Sequence, residues 1–150
     1  KISAGSELPG YEARKVTDGV ARRVGSDSHC WRSASLDESD ARLELDFGKM
    51  RTLSQVHLTF DTGLSRHMTL THIDRLNDEM IEGPQPETAR DYRIEALDGA
   101  SWNTVAEVKG NYLRKRVHSL KNLRCRRMRI KVSATCGVPE ARIFEVRCYG

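Results

Sequence analysis

The sequence lacks several features that define common protein classes. No apolar run approaches the roughly 20 residues that a membrane-spanning helix needs, which excludes such a segment. Aromatic residues make up only 6% of the chain, so platforms for stacking a ligand are scarce. No glycine-rich loop follows a strand pattern, and a dinucleotide-binding fold is therefore not indicated. Because neither an initiator methionine nor a signal-peptide pattern is present at Lys1, we expect the chain to be a module of a longer protein.

Cysteines are few and far apart. The four of them form none of the close pairs that zinc sites and redox motifs require: Cys30, Cys125, Cys136 and Cys148. An even number suits up to two disulfides, for which three pairings exist. It suits buried free thiols equally, because cysteine packs as a small apolar residue. The disulfide state and the redox compartment therefore stay open on the sequence alone.

Signatures of catalysis are also missing. Nucleophilic catalysis needs a serine or cysteine within reach of a histidine that a third group orients, and no such signature surrounds any histidine or cysteine here. Four polar residues in one stretch, without a recognised metal-ligand spacing, are interpreted as a loop surface: His67, His72, Asp74 and Asp78. We therefore predict a protein that is not an enzyme and that requires no cofactor.

The charge of the chain is modest, with a formal net value of +4. Basic residues cluster at 114–116 and at 124–131. Within the second cluster, apolar and basic side chains alternate from Arg127 to Val132, as in a strand with one solvated face. Nucleic-acid binding requires many phosphate contacts, so we predict no nucleic-acid partner.

Alternation of apolar and polar residues predicts the fold class. Residues 43–47 and 55–61 have apolar side chains at every second position, as half-buried strands do, with a break at Gly48. Five further segments show strand patterns between turn residues: 92–96, 102–108, 112–120, 124–132 and 144–148. Only residues 70–80 have roughly helical spacing. Many short strands with almost no helix predict a single all-β sandwich domain over residues 1–150.

Five segments, in order along the chain, carry a family resemblance: Asp18-Gly19 before Trp31, LELDFGKMRTLSQVHLTFD at 43–61, DYRIEALDGASWNTVAEV at 91–108, RRMRIKV at 126–132 and IFEVRCYG at 143–150. Together they resemble the discoidin domain, also called the coagulation factor five/eight type C domain. Many bacterial carbohydrate-binding modules belong to that group. The resemblance spans nearly the whole chain and implies a jelly-roll β-sandwich of the galactose-binding-like type.

Four segments carry a closer similarity: LTFDTGL at 58–64, the DYRIEAL segment, KGNYLRKRVHSL at 109–120 and ARIFEVRCYG at 141–150. They resemble a variant of this fold at the C-terminus of large bacterial FAD-dependent oxidoreductases. That similarity implies an accessory domain whose partner is the catalytic domain of the parent enzyme. It does not imply that this module is itself catalytic.

The resemblance to carbohydrate-binding modules implies a glycan partner, and with it an extracellular or periplasmic location. A sugar site combines a flat aromatic ring with charged or amide groups that bond to hydroxyls. The loop residues of these types are the predicted ligand-binding set: His29, Arg32, Arg66, His67, Asn111, Tyr112 and Arg114. Tyr112 is the best platform, although it equally suits packing at a strand end. Trp31 is expected in the core, with ligand stacking as the alternative.

The resemblance further implies a structural calcium near the N-terminal loop. The matching positions are Asp18, Ser26 and Glu145, which offer the oxygen ligands that calcium prefers. The sequence departs from the family pattern at Arg22 and Arg23, whose charges oppose a cation. An arginine that pairs with Asp18 or Glu145 in place of the ion is therefore the alternative.

Phospholipid binding is a further function within the family. It would require Leu64, Met68 or Leu70 to project from the long loop, beside Arg66. Three functions thus follow from the resemblance. Carbohydrate binding comes first, an accessory role in a larger enzyme comes second, and attachment to a membrane surface comes last.

Overall fold

Seven β-strands carry the fold: β1 (Ile2–Ala4), β2 (Trp31–Ser35), β3 (Arg42–Phe60), β4 (Ala89–Asp98), β5 (Ser101–Val108), β6 (Lys115–Thr135) and β7 (Glu140–Tyr149). The computed structural model, which describes residues 1–150, adds a 3-10 helix at Ala13–Thr17 and a one-turn helix, α1, at Asp74–Asp78. Strands account for 52% of the residues and helix for 7%, which confirms the predicted all-β class.

The strands are antiparallel and follow the order β2-β7-β3-β6-β4-β5, with β1 beside β3. The long strands β3 and β6 run side by side and belong to both layers. The early part of β3, at 43–45, pairs with β1, whereas its late part, at 55–60, pairs with β7. The late part of β6, at 128–135, pairs with β4. This sharing of two long strands between layers closes the β-sandwich.

Both long strands were predicted as two separate strands each, and the structure keeps each one continuous through an irregularity. In β3 the register shifts between Asp46 and Arg51, around Gly48, which has a φ of 76° and whose N–H donates to Asp46 Oδ1 at 2.7 Å. In β6 the extra residues are Lys121 and Asn122, with φ of 49° and 59°. Bulges of this kind bend a strand and increase its twist, so the turn residues in the sequence mark bends and not chain reversals.

The core lies between the two layers. Alternate residues of β3 are buried there, as predicted: Leu43, Leu45, Val56, Leu58 and Phe60. The Phe60 ring centroid lies 5.0 Å from that of Tyr92 on β4, which joins the layers. Trp31 is fully buried, and its Nε1–H donates to the carbonyl oxygen of Ser6 at 3.0 Å. Trp31 is therefore a core residue, and its ring is not available to a ligand.

The long connection between β3 and β4 contains the predicted helix in a shorter form. Only Asp74–Asp78 is helical, and none of its residues is buried. The side chain of Asn77 holds the turn by bonding to both the N–H and the carbonyl oxygen of Thr71, at 2.9 and 2.8 Å. Neither this helix nor any other has the length and apolar character to cross a bilayer.

A buried histidine on β6 predicts a pH dependence of stability. His118 Nε2 lies 3.0 Å from the Tyr92 hydroxyl oxygen. Burial, with a smaller effect from the charge of Arg116, lowers the pKa of His118 below its usual 6.5. The unfolded chain therefore takes up this proton at a higher pH than the folded chain does. The contribution of neutral His118 to stability is therefore fully present above the pKa of the unfolded chain. It is lost as the pH falls below about 6.5.

Urea denaturation between about pH 7.5 and 5.5 measures this effect. The wild type should lose stability as the pH falls, and His118→Gln should lose less over the same range. The exposed His72 provides the matched control, since His72→Gln should keep the wild-type slope. Equal slopes for wild type and His118→Gln would contradict the prediction.

Candidate ligand-binding site

The connections at one end of the sandwich surround a cavity of about 530 Å³. This end is where β3 finishes and β6 begins, with Thr59 opposite Lys115 in the pairing register. The loop at 22–28, the segment at 61–65 and Arg114 form its walls, and Phe144 of β7 also contributes. A volume of this size is within the usual range of small-molecule sites, about 300–1,000 Å³.

The guanidinium group of Arg32 forms a cation–π contact with an aromatic ring in this cavity. Its central carbon is 4.1 Å from the centroid of Tyr11, and the Arg32 backbone N–H donates to the Tyr11 carbonyl oxygen at 3.2 Å. Arg32 forms no ion pair, and its Nε is buried without a hydrogen-bond partner. Ser28 Oγ, in the same cavity, is also buried without a partner. Both atoms are closed to solvent, so the donors that Arg32 offers to the cavity are its terminal N–H groups, which make no hydrogen bond within the protein.

Arg114 forms a second cation–π contact in the cavity. Its central carbon lies 5.1 Å from the centroid of the Phe144 ring. The guanidinium donates to the carbonyl oxygens of Phe60, at 3.1 Å, and of Ala21, and thereby ties the 22–28 loop to the end of β3. Burial lowers the pKa of Arg114. Arg114 therefore braces the wall and brings a partly buried positive charge to the cavity.

Asp61 is the single acidic residue in the cavity wall, and its oxygens are already engaged. Oδ1 accepts the Gly63 N–H at 2.9 Å, and Oδ2 lies 3.4 Å from Arg142. Arg142 also pairs with Glu140. Asp61 therefore contributes little uncompensated negative charge to the cavity.

A second ion pair, between Arg66 and Glu87 outside the cavity lining, holds the 61–66 segment in place. Arg66 bonds to both carboxylate oxygens of Glu87, with its Nη2 at 2.6 Å from Oε2, and Nη2 also donates to Gln85 Oε1 at 2.9 Å. The hydrogen bonds from Arg66 lower the pKa of Glu87, which is ionised at neutral pH. A two-pronged arginine–carboxylate pair gives geometric rigidity as well as energy. In the structure Arg66 positions the loop, and its predicted ligand role stays a prediction.

The structure brings only two of the seven predicted ligand-binding residues, Arg32 and Arg114, into the cavity. Asn111 is buried, and its side-chain amide donates to the carbonyl oxygens of Ala89, at 2.8 Å, and of Leu113, at 3.2 Å. It therefore shapes the loop before β6. Tyr112 is 61% exposed and does not line the cavity. The binding roles of the seven residues stay predictions.

The remaining two predicted ligand residues also lie outside the cavity lining. His67 is exposed on the long connection, and His29 Nδ1 lies 2.7 Å from Asp18 Oδ2. Sequence reasoning missed Tyr11, Asp61 and Phe144, which do line the cavity. Phe144 was assigned to a strand, correctly, and no local pattern indicates that its ring lies beneath an arginine.

The three side chains assigned to calcium have different surroundings in the structure. Asp18 accepts the Val20 N–H at 2.8 Å in addition to its contact with His29. Glu145 pairs with Arg147 at 2.7 Å, and Ser26 lines the ligand cavity instead. No group of three or more histidine, cysteine, aspartate or glutamate side chains could hold a metal ion. Asp18 and Glu145 thus have protein partners, neither of which is Arg22 or Arg23, and the calcium site stays a prediction.

Removing divalent cations is accordingly expected to leave stability unchanged. Because Asp18 and Glu145 already have protein partners, EDTA has no structural ion to withdraw. Thermal unfolding with EDTA and with added calcium should give the same melting temperature. An increase of several degrees that depends on calcium would show that a site forms around Asp18 after all.

Comparisons with known proteins identify the fold. No protein-family model matches the chain, and no curated protein matches it in sequence. A family 32 carbohydrate-binding module from Clostridium perfringens NanJ, solved in complex with galactose, matches 100% of this chain and 93% of that one. The TM-score is 0.71 and the sequence identity 18%. The fold is that of the family 32 carbohydrate-binding modules.

Two further solved structures share this fold. A fucose-binding module from Streptococcus pneumoniae has a TM-score of 0.70 at 13% identity, over 100% of this chain and 93% of that one. A family 89 glycoside hydrolase from Clostridium perfringens has a TM-score of 0.69 at 20% identity, and the chain spans only 14% of its length. The predicted discoidin-type sandwich is thus confirmed as a fold, while the link to FAD-dependent oxidoreductases stays a prediction.

Proposed function

We propose that this domain is a non-catalytic carbohydrate-binding module and that the cavity around Arg32 holds the sugar. The observation that carries the proposal is Arg32, which lines the cavity at the loop end of the sandwich and whose side chain makes no hydrogen bond or ion pair within the protein. A saccharide hydroxyl can accept from its terminal N–H groups. The fold supports the proposal, because modules that share it were solved with galactose or are fucose-binding.

The two cation–π contacts prepare the arginines for such a ligand. Tyr11 and Phe144 lie 4.1 and 5.1 Å from the guanidinium carbons of Arg32 and Arg114, and only the Arg32 guanidinium keeps its terminal N–H groups for a ligand. A side chain held in one orientation loses less entropy on binding. Leu64, 58% exposed at the cavity rim, adds an apolar surface for the pyranose ring.

The cavity favours binding over hydrolysis. Glycoside hydrolysis uses a pair of carboxylic groups on either side of the scissile bond. Asp61 is the single acid in the lining, and it is held by Gly63 and Arg142. No histidine or cysteine lines the cavity. These features support a module that binds its saccharide without cleaving it, and a saccharide ligand accords with an extracellular or periplasmic location.

Isothermal titration calorimetry against a panel of neutral and acidic monosaccharides tests the proposal. We expect heat of binding from at least one sugar and an affinity about 10-fold to 100-fold lower for Arg32→Ala, the range that loss of a charge-assisted hydrogen bond corresponds to. Arg124→Ala is the matched control, because Arg124 is exposed on β6 and has no ion pair. Absence of binding to every sugar, or equal affinity for wild type and Arg32→Ala, would overturn the proposal.

A second function is favoured by an exposed apolar surface on the long connection. Its members are 39–81% exposed: Leu64, Met68, Leu70, Ile73 and Ile81. We propose that it contacts the catalytic domain of a parent enzyme, since the same fold forms 14% of a family 89 glycoside hydrolase. Acidic side chains beside it, such as Asp74 and Asp78, favour a protein over an anionic phospholipid surface.

A further inference from the structure

The ligand cavity has a strong excess of positive charge. Four arginines line it, Arg22, Arg23, Arg32 and Arg114, against the single acid Asp61. The Asp61 carboxylate is in turn offset by Arg142, at 3.4 Å. From this imbalance we infer that the cavity selects an acidic saccharide, one whose ring carries a carboxylate or a sulfate ester. The inference rests on the proposed function and specifies the class of sugar.

The acidic residues nearest in sequence do not neutralise these arginines. Asp27, on the same loop, pairs with Lys15, and Asp18 pairs with His29. Hydrogen bonding from Lys15 lowers the pKa of Asp27 to about 2, so this carboxylate stays charged and committed to the lysine. The arginines of the cavity therefore have no anion of their own other than Asp61.

The four arginines divide into two roles. Arg114 uses its guanidinium on the carbonyl oxygens of Phe60 and Ala21, and Arg23 donates its Nε to the Gly25 carbonyl oxygen at 3.1 Å. Both hold the walls and supply positive potential.

The other two arginines keep their donors free. Neither the Arg22 nor the Arg32 side chain makes a hydrogen bond or ion pair within the protein, and the central carbon of the Arg32 guanidinium lies 4.1 Å from the centroid of the Tyr11 ring. A guanidinium offers two parallel N–H groups that match the two oxygens of a carboxylate. Arg32, aided by Arg22 from the rim, is therefore the group placed to bind the anion.

A neutral sugar would leave this charge uncompensated. Like charges gathered around a partly enclosed cavity repel each other, and an anion at the centre converts that repulsion into attraction. Hydrogen bonds to an ionised acceptor are roughly twice as strong as those to a neutral hydroxyl. We therefore expect an acidic sugar to bind at least about 10-fold more tightly than its neutral counterpart, with a preference that weakens as salt is added.

Sugars that differ only at C6 test this inference: galactose, galacturonic acid and galactose 6-sulfate, each titrated at low salt and at about 0.15 M salt. Wild type should bind one or both acidic sugars at least about 10-fold more tightly than galactose. Arg32→Gln and Arg22→Gln should each reduce that ratio, because each removes one free cation. Arg124→Gln removes an exposed cation elsewhere on β6 and should leave the ratio unchanged.

The outcomes separate the inference from the proposed function. Binding of galactose as tight as that of both acidic sugars would overturn the inference and leave the carbohydrate-binding proposal in place. Absence of binding to all three and to the monosaccharide panel would overturn both. Acetate or inorganic sulfate that binds as tightly as the acidic sugars would also overturn both, since the site would then recognise a small anion and not a saccharide.

Discussion

Replacing Arg142 with methionine is expected to lower the free energy of unfolding by about 3 kcal/mol, although the substitution keeps much of the side-chain volume. Arg142 is only 14% exposed and faces three carboxylates, those of Glu140, Asp61 and Glu87, the last at 3.8 Å. Removing the cation leaves these charges partly buried, and only Glu87 keeps an ion pair with another cation, Arg66. The main cost is the uncompensated negative charge and not the lost contact itself.

Arg126→Met provides the comparison. Arg126 is 58% exposed, and its partner Asp46 keeps a second cation, Arg127, so its removal should change stability little. Urea denaturation of both variants measures the difference. Similar losses for the two would contradict the buried network as the cause. Arg142→Met should also weaken sugar binding, because Asp61 and the segment that follows it lose an anchor.

Replacing Trp31 with alanine should cost about 4 kcal/mol, a large share of the stability of a domain of this size. The side chain is fully buried at the start of β2, and its loss leaves a cavity that the rigid sheets cannot fill. The carbonyl oxygen of Ser6 also loses the Nε1–H donor that lies 3.0 Å away. Far-ultraviolet circular dichroism during denaturation measures this change without relying on tryptophan fluorescence.

Two further variants serve as comparisons for Trp31→Ala. Trp31→Phe keeps most of the apolar volume and should lose clearly less stability than Trp31→Ala. Tyr112→Ala removes an aromatic ring that is 61% exposed and should have little effect. A loss for Trp31→Ala no greater than that for Tyr112→Ala would contradict a core role for Trp31.

The strands could be predicted because their information is local. Alternate burial along β3, from Leu43 to Phe60, is a period-two pattern that any sheet imposes on its own residues. The bulges in β3 and β6 were predicted wrongly, as breaks between separate strands, because the prediction used local information alone. Gly48 and the Lys121-Asn122 pair are turn residues in any local analysis, and only the neighbouring strand decides whether the chain reverses or continues through a bulge.

The candidate site could be predicted only in part, because residue type does not reveal what a side chain contacts. Asn111 has the chemistry of a sugar ligand, but backbone carbonyl groups satisfy its amide. Arg66 has a suitable guanidinium, but its N–H groups donate to the Glu87 carboxylate. Arg32 has the same chemistry and keeps a free donor, since it lies on Tyr11 and no carboxylate reaches it.

The sequence by itself determined the all-β class, the apolar face of each strand and, through the order of its motifs, the jelly-roll fold. Only the tertiary structure decided which loops meet. The bond from Arg114 to Ala21 spans 93 residues, and the contact from Arg142 to Asp61 spans 81. Alternation along a strand follows from backbone geometry at neighbouring positions, whereas a binding cavity depends on distant segments that the closing sheets bring together.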